Sequence, residues 1–229
     1  MSESSAPRFV HIAIDVQSDF LKWLPIEKRA SFPPAVRGFA DDLRERGIPT
    51  IWVSYPGSRA KCQIHLPQTA LSQGQPRPLS FLESLGLLAV DPRTDEAILV
   101  KDRESAFGHP VLERYLKDLG IEGVIITGMR SRACVPLAVQ GAEEGDNHFS
   151  PYVMTDLLAD YSNSSGRVRD REEVRDDPAW HEQAVRSKLP PSTTAKFLTS
   201  RQFLEFLDQQ PAAAGKSAPD SKPDGQALG

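Results

Sequence analysis

Gly123-Val124-Ile125-Ile126-Thr127-Gly128-Met129-Arg130-Ser131-Arg132-Ala133-Cys134-Val135 is the stretch that decides the fold. Its first half is a run of apolar and β-branched residues stopping at Gly128, which reads as a buried strand closed by a turn glycine. Its second half opens a segment with helical apolar spacing through Val135, Leu137, Ala138, Val139 and Ala142. Cys134 stands at the junction, where the unpaired N–H groups and positive dipole end of a helix favour a thiolate.

Outward from this unit, strand-like and helix-like stretches alternate, which predicts an α/β fold with a mainly parallel sheet. Phe9 to Ile14 forms the first strand, with Asp15 at its end. Pro33-Pro34 is expected to open a helix running to about Arg46, with Val36, Phe39, Ala40 and Leu43 on one face and Gly47 as the stop. Ile48 to Ser54 is a second strand and Ala97 to Val100 another, with Lys101 at its end. A helix follows over about Pro110 to Leu119. Beyond the Cys134 helix, Pro151 to Thr155 reads as a strand with Asp156 at its end. A helix near Trp180 to Lys188, a strand over Ala195 to Leu198 and a helix from Ser200 to Gln209, capped by Thr199 or Ser200, complete the pattern.

Two internal segments break the rhythm. Tyr55 to Asp95 carries five prolines and little periodicity, so it is expected to be a lid loop over the strand ends. Asn163 to Asp177 holds four arginines against five acids and reads as a solvated loop. Residues 1–7 and 211–229 have the composition of disordered ends, leaving 8–210 as one domain.

Composition narrows the function classes. The 229 residues are 39% hydrophobic and 25% charged, as in soluble globular proteins. A net charge of −4 gives no basic footprint for nucleic acid. No apolar run approaches the roughly eighteen residues of a membrane helix, and Met1 to Pro7 lacks the features of a signal peptide. Two cysteines make no disulfide framework, so a cytoplasmic protein acting on a small molecule is expected. Cys62, in a polar stretch, reads as an incidental thiol.

Asp15, Lys101 and Cys134 each follow a strand, so all three should meet at the carboxyl edge of the sheet, where α/β proteins place their ligands. Singly, each has an ordinary explanation: a loop acid, a solvated lysine, a small buried hydrophobe. Together they make a nucleophile, a base and a cation. Asp15 would accept the thiol proton and return it to a leaving amine, with Lys101 holding the carboxylate ionised and favouring thiolate. Backbone N–H groups of Arg130 and Cys134 are candidates to receive the oxyanion.

Three segments then resemble the signature segments of the isochorismatase-like cysteine hydrolases: Ile14-Asp15-Val16-Gln17-Ser18-Asp19-Phe20, Lys101 with Ser105-Ala106-Phe107, and Gly128 to Val135. That family includes nicotinamidases, N-carbamoylsarcosine amidohydrolases, ureidoacrylate-type amidases and isochorismatases. The resemblance runs from about Phe9 to Leu207. It implies a Rossmann-like three-layer α/β/α sandwich and an Asp–Lys–Cys triad on Asp15, Lys101 and Cys134. It further implies a cis Met129–Arg130 peptide ahead of the cysteine and a homo-oligomer. Ser131 stands where the family often has Thr, and Arg130 and Arg132 occupy positions that are commonly small, acidic or neutral.

Nicotinamidases resemble one another in an Asp-x-His pair and a further His after the second strand, which hold a metal. This chain has Trp52-Val53-Ser54-Tyr55-Pro56 there, with His65 alone downstream, so no metal or other cofactor is expected. Phe20 and Phe107 are candidates for an apolar wall around a small acyl group. Arg130 and Arg132 are candidates to grip a substrate carboxylate. The expected activity is metal-independent hydrolysis of a C–N bond in a small amide, ureido or N-carbamoyl compound through a thioester. Vinyl ether hydrolysis of the isochorismatase type, and a non-catalytic binding role, are the alternatives.

Overall fold

A computed structural model describes residues 8–55, 63–65, 88–108, 110–144, 149–161 and 177–210. Both ends, most of the expected lid, Cys62 and nearly all of the charged 163–177 segment lie outside the described residues. The strands are β1 (Phe9–Ile14), β2 (Thr50–Ser54), β3 (Gln63–His65), β4 (Ala97–Val100), β5 (Gly123–Met129), β6 (Ser150–Ala159) and β7 (Lys196–Leu198). The helices are α1 (Ser18–Leu21), α2 (Ile26–Glu45), α3 (Pro110–Asp118), α4 (Cys134–Glu143), α5 (Pro178–Arg186) and α6 (Ser200–Asp208). The strands form one sheet in the order β3-β4-β2-β1-β5-β6-β7. All neighbours are parallel except β3, which runs antiparallel on the edge beside β4.

Two apolar layers sandwich this sheet. Val10, Ile12 and Ile14 of β1 face α3, α4 and α5 through Leu112, Leu116, Val135, Ala138 and Val185. Phe9 and Ala13 face α2 and α6 through Phe32, Val36, Phe39 and Phe203. That alternation is the strand period of two, with both faces covered as parallel sheets require. His11 points into the second layer, bonded to Thr50 Oγ1 at 3.1 Å and Thr127 Oγ1 at 2.8 Å. Burial pushes its pKa down to about 3, so it is a neutral core residue.

Two expectations about element bounds change. Helix α2 begins at Ile26 and runs through Pro33 and Pro34. Internal prolines remove backbone hydrogen bonds, and here the burial of Phe32 and Pro33 against the sheet offsets that loss. Arg29 adds a staple, donating to the carbonyls of Lys22 and Leu24 at 2.7 and 3.2 Å. Strand β6 continues past Thr155 to Ala159, because a register shift lets Leu158 and Ala159 pair with Gly128 and Met129. Asp156 is therefore inside the strand, where it accepts from Ser200 N–H and Oγ at 2.7 and 2.6 Å. Asp160 takes the place at the carboxyl edge.

Candidate active site

The exits of β1, β4 and β5 meet at that edge. Asp15 follows β1 and is tied to β2 through its N–H to Val53 O at 3.1 Å. Lys101 follows β4 and is tied to the same strand through its N–H to Ser54 O at 2.9 Å. Its Nζ donates to Asp15 Oδ2 at 2.7 Å and to Glu104 O at 2.6 Å, and both charged side chains are buried. Cys134 is the first residue of α4 and is 3% exposed. The structure thus brings the three expected residues together.

Their proton affinities depart from expectation. Burial, helped by the negative Asp15, pushes the Cys134 thiol up to about 12, against the opposing pull of Lys101 and Arg130. Cys134 is held as a neutral thiol and not as the thiolate its helix position suggested. Burial also raises the Asp15 carboxyl above its ordinary range, with Lys101 as the chief opposing influence. Thiol and carboxylate lie close enough to shift each other, yet Asp15 Oδ1 completes no hydrogen bond of ordinary length. The carboxylate therefore has one oxygen without an ordinary donor and a protonated thiol within reach.

The backbone here is strained where it turns. Asp15 (φ 53°) and Arg130 (φ 70°) are the positive-φ non-glycine residues among those described, and both are at this site. Gly128 (φ 120°) is obligatory, since a Cβ would stand 2.0 Å from Ile14 O. The Met129–Arg130 peptide is trans, like every described peptide bond. The chain reverses through the left-handed Arg130 instead of the expected cis bond. The Arg130 N–H donates to Ala159 O at 2.8 Å, so it is occupied and does not serve an oxyanion hole. Among the described residues the Cys134 N–H has no acceptor, and it stays available.

The other candidates separate. Arg132 is bound into the scaffold: its N–H and Nε donate to Asp160 Oδ2 at 3.0 and 3.2 Å, and its guanidinium lies over the Trp180 ring. Arg130 has its guanidinium 5.3 Å from the centre of the Tyr161 ring. Phe107 packs its Cβ against Gly141 and its ring near Phe149. Gly141 is seven residues along α4 from Cys134, about 10 Å at helical rise. Phe107 therefore anchors its loop to α4. Phe20 is half-buried against the layer that holds α2.

Two pairings around the site were not foreseen from sequence. Gln17 is buried and grips the Tyr55 backbone, accepting from its N–H at 2.7 Å and donating to its carbonyl at 3.4 Å. This holds the Tyr55 ring 5.5 Å from Lys101 Nζ, as a cation–π lid on the ammonium. Ser131 Oγ and His181 Nδ1, both buried, pair at 2.7 Å and fix the turn between Arg130 and Cys134 to α5. A glutamine two residues past a strand-end acid was the available signal for the first; nothing in the sequence linked Ser131 to His181.

A family model described as the isochorismatase domain matches residues 9–175. The chain belongs to the isochorismatase family. A curated relative of this isochorismatase-family hydrolase is phenazine biosynthesis protein PhzD1 of Pseudomonas aeruginosa. It is 26% identical over 161 residues, covering 70% of this chain and 76% of the relative. Among solved structures, pyrazinamidase of Pyrococcus horikoshii in complex with zinc matches with TM-score 0.57 at 20% identity, over 84% of this chain and 99% of the other. N-carbamoylsarcosine amidase from Thermoplasma acidophilum matches with TM-score 0.55 at 17% identity, over 84% and 96%. At these identities the likeness is one of fold.

The zinc of the pyrazinamidase makes a metal the next test. The exit of β2 offers Ser54, whose buried hydroxyl has no partner, and Tyr55, whose ring is engaged with Lys101. Neither is a carboxylate or an imidazole, so this strand exit does not fit a zinc site. Among the described residues no group of three or more His, Cys, Asp and Glu side chains is placed to hold a metal.

Proposed function

We propose that this isochorismatase-family hydrolase cleaves a C–N bond in a small amide, ureido or N-carbamoyl compound, using Cys134 as nucleophile and no metal. The observation that carries this reading is the open Asp15 Oδ1 beside a protonated, buried thiol. Asp15 takes the thiol proton as sulfur attacks the carbonyl carbon, and the Cys134 N–H donates to the resulting oxyanion. Collapse expels the amine, which receives that proton from Asp15, and leaves a thioester. Water, deprotonated by Asp15, releases the acid and restores the thiol. Lys101 keeps Asp15 ionised between steps, and Tyr55 shields the ammonium from solvent. Phe20 is the remaining candidate for an apolar wall.

The raised Asp15 pKa also suits a second reading, vinyl ether hydrolysis, in which a protonated acid protonates carbon and the thiol is dispensable. One variant separates the two. Cys134→Ala is expected to reduce ammonia release at least about a hundredfold, because the covalent route is lost; hydrolysis of a vinyl ether that survives in that variant would favour the second route. Dialysis against a strong chelator is expected to leave turnover unchanged. Loss of activity restored by zinc would overturn the metal-free reading.

A further inference from the structure

The pairing of Ser54 with Val100 across β2 and β4 puts the next residues, Tyr55 and Lys101, side by side at the carboxyl edge. An ammonium carries three N–H donors. Two of those on Lys101 are taken, by Asp15 Oδ2 at 2.7 Å and Glu104 O at 2.6 Å. The third has no oxygen acceptor among the described residues, and Nζ stands over the Tyr55 ring, 5.5 Å from its centre. A π face attracts a buried cation without competing for its carboxylate.

A half-buried tyrosine just past a strand has no fixed place of its own, and Gln17 supplies one. Both ends of its carboxamide bond to the Tyr55 backbone, Oε1 to the N–H at 2.7 Å and Nε2 to the carbonyl at 3.4 Å. Gln17 is itself held from two sides. Its N–H donates to Asp15 O at 2.8 Å, and it bridges Leu88 beside a bond from Ala89 N–H to Val16 O at 2.9 Å. At 1% exposure a carboxamide is unfavourable unless its polar ends are bonded. Here both ends are committed to Tyr55, so what Gln17 determines is where that ring sits.

We propose that Gln17 is a positioning residue of this active site: by fixing Tyr55 it closes the third side of the Lys101 ammonium, so that Lys101 donates to Asp15 and not to the substrate. This rests on the hydrolase reading above for the reaction that Lys101 and Asp15 serve, but the closure is tested without substrate.

The experiment follows the ammonium protons of Lys101 by proton–nitrogen correlation NMR of full-length protein carrying isotope-labelled lysine, in weakly acidic buffer. The signal is assigned by its loss in Lys101→Arg. Wild type should show slow exchange with water at this ammonium. Tyr55→Phe should stay within about threefold of that rate, because the π face remains, while Tyr55→Leu and Gln17→Met should each exchange at least about tenfold faster. The double variant should be no faster than the faster single one, since both act through one contact. Tyr55 is only half-buried, so Tyr55→Leu keeps the test decisive if Gln17→Met does not fold. Fast exchange in wild type, unchanged exchange in Tyr55→Leu, or additive effects of the two substitutions would overturn the proposal. In ammonia release, Tyr55→Leu should lower kcat several-fold with KM within about twofold, because the ring acts through Lys101. A raised KM at unchanged kcat would place Tyr55 on the substrate and overturn it equally. The full exchange pattern with no ammonia released from any amide would sink the amide-hydrolysing reading and leave the Gln17–Tyr55–Lys101 arrangement standing.

Discussion

Strand β4 is four residues long and carries one buried charge at each end, Glu96 at its entry and Lys101, paired with Asp15, at its exit. The two carboxylates at these ends are treated in opposite ways. Glu96 is saturated: Arg37 donates to both its oxygens at 2.8 and 2.5 Å, and Trp52 Nε1 and the Arg93 N–H add bonds at 2.7 and 2.8 Å. Burial alone would raise its pKa, but these donors overcome that and hold the carboxyl below its ordinary range. Asp15 has one strong donor, Lys101, and only a weak thiol beside it, so burial wins and its pKa rises. Deeper burial and fewer hydrogen bonds received together separate the Asp15 carboxyl from that of Glu96.

That contrast is broken or upheld by two substitutions. Asp15→Asn is expected to lower kcat/KM by about 10²–10⁴-fold, since a general base is lost. Glu96→Gln should lower unfolding free energy by about 1–3 kcal/mol and leave kcat/KM of the folded protein within about twofold. A tenfold fall in kcat/KM for Glu96→Gln would show that the two ends of β4 are not independent.

The protonated thiol sharpens the same comparison. With its pKa raised from 9.0 to about 12, Cys134 should react with iodoacetamide at pH 7.5 at least about a hundredfold more slowly than free cysteine, because alkylation requires thiolate. Activity should instead follow Asp15: kcat/KM falls as pH drops through a midpoint above the ordinary 3.8, where the base becomes protonated. Rapid alkylation at neutral pH would mean that the helix end and the two cations prevail over burial.

A smaller effect appears in stability. Between about pH 9 and 12 the folded chain keeps the Cys134 proton that the unfolded chain releases. Stability attributable to this group is therefore fully present below pH 9 and falls as pH rises, by up to about 1.4 kcal/mol per pH unit. The difference in unfolding free energy between wild type and Cys134→Ala should carry that slope; parallel pH profiles would argue against a protonated thiol in the folded state.

Asp15 and Lys101 were legible because each directly follows an apolar run, and Cys134 because it opens a helix a short turn after a third; parallel strands deliver such ends to one edge. The two arginines were not distinguishable, because the fate of Arg132 depends on Asp160. Asp160 reaches the edge only through the register shift in β6, which has no local signature in Met154-Thr155-Asp156-Leu157. Pro33-Pro34 misplaced the start of α2 for a related reason: local propensity argued for a boundary, and the burial of Phe32 overrode it. Phe107 looked like a pocket residue by its closeness to Lys101 in sequence, but the missing side chain of Gly141 opens a seat for it on α4.

The contact between Gly128 and Ile14 has a consequence for motion. With no space for even a methyl group between them, the exits of β1 and β5 cannot slide or hinge independently, so acid and nucleophile ride on one rigid block. Amide protons along the paired segment from Ile12 to Ile14 should exchange with deuterium only when the whole sheet opens. A turnover that responds to solvent viscosity would then report motion outside this block and not a loosening of Asp15 against Cys134.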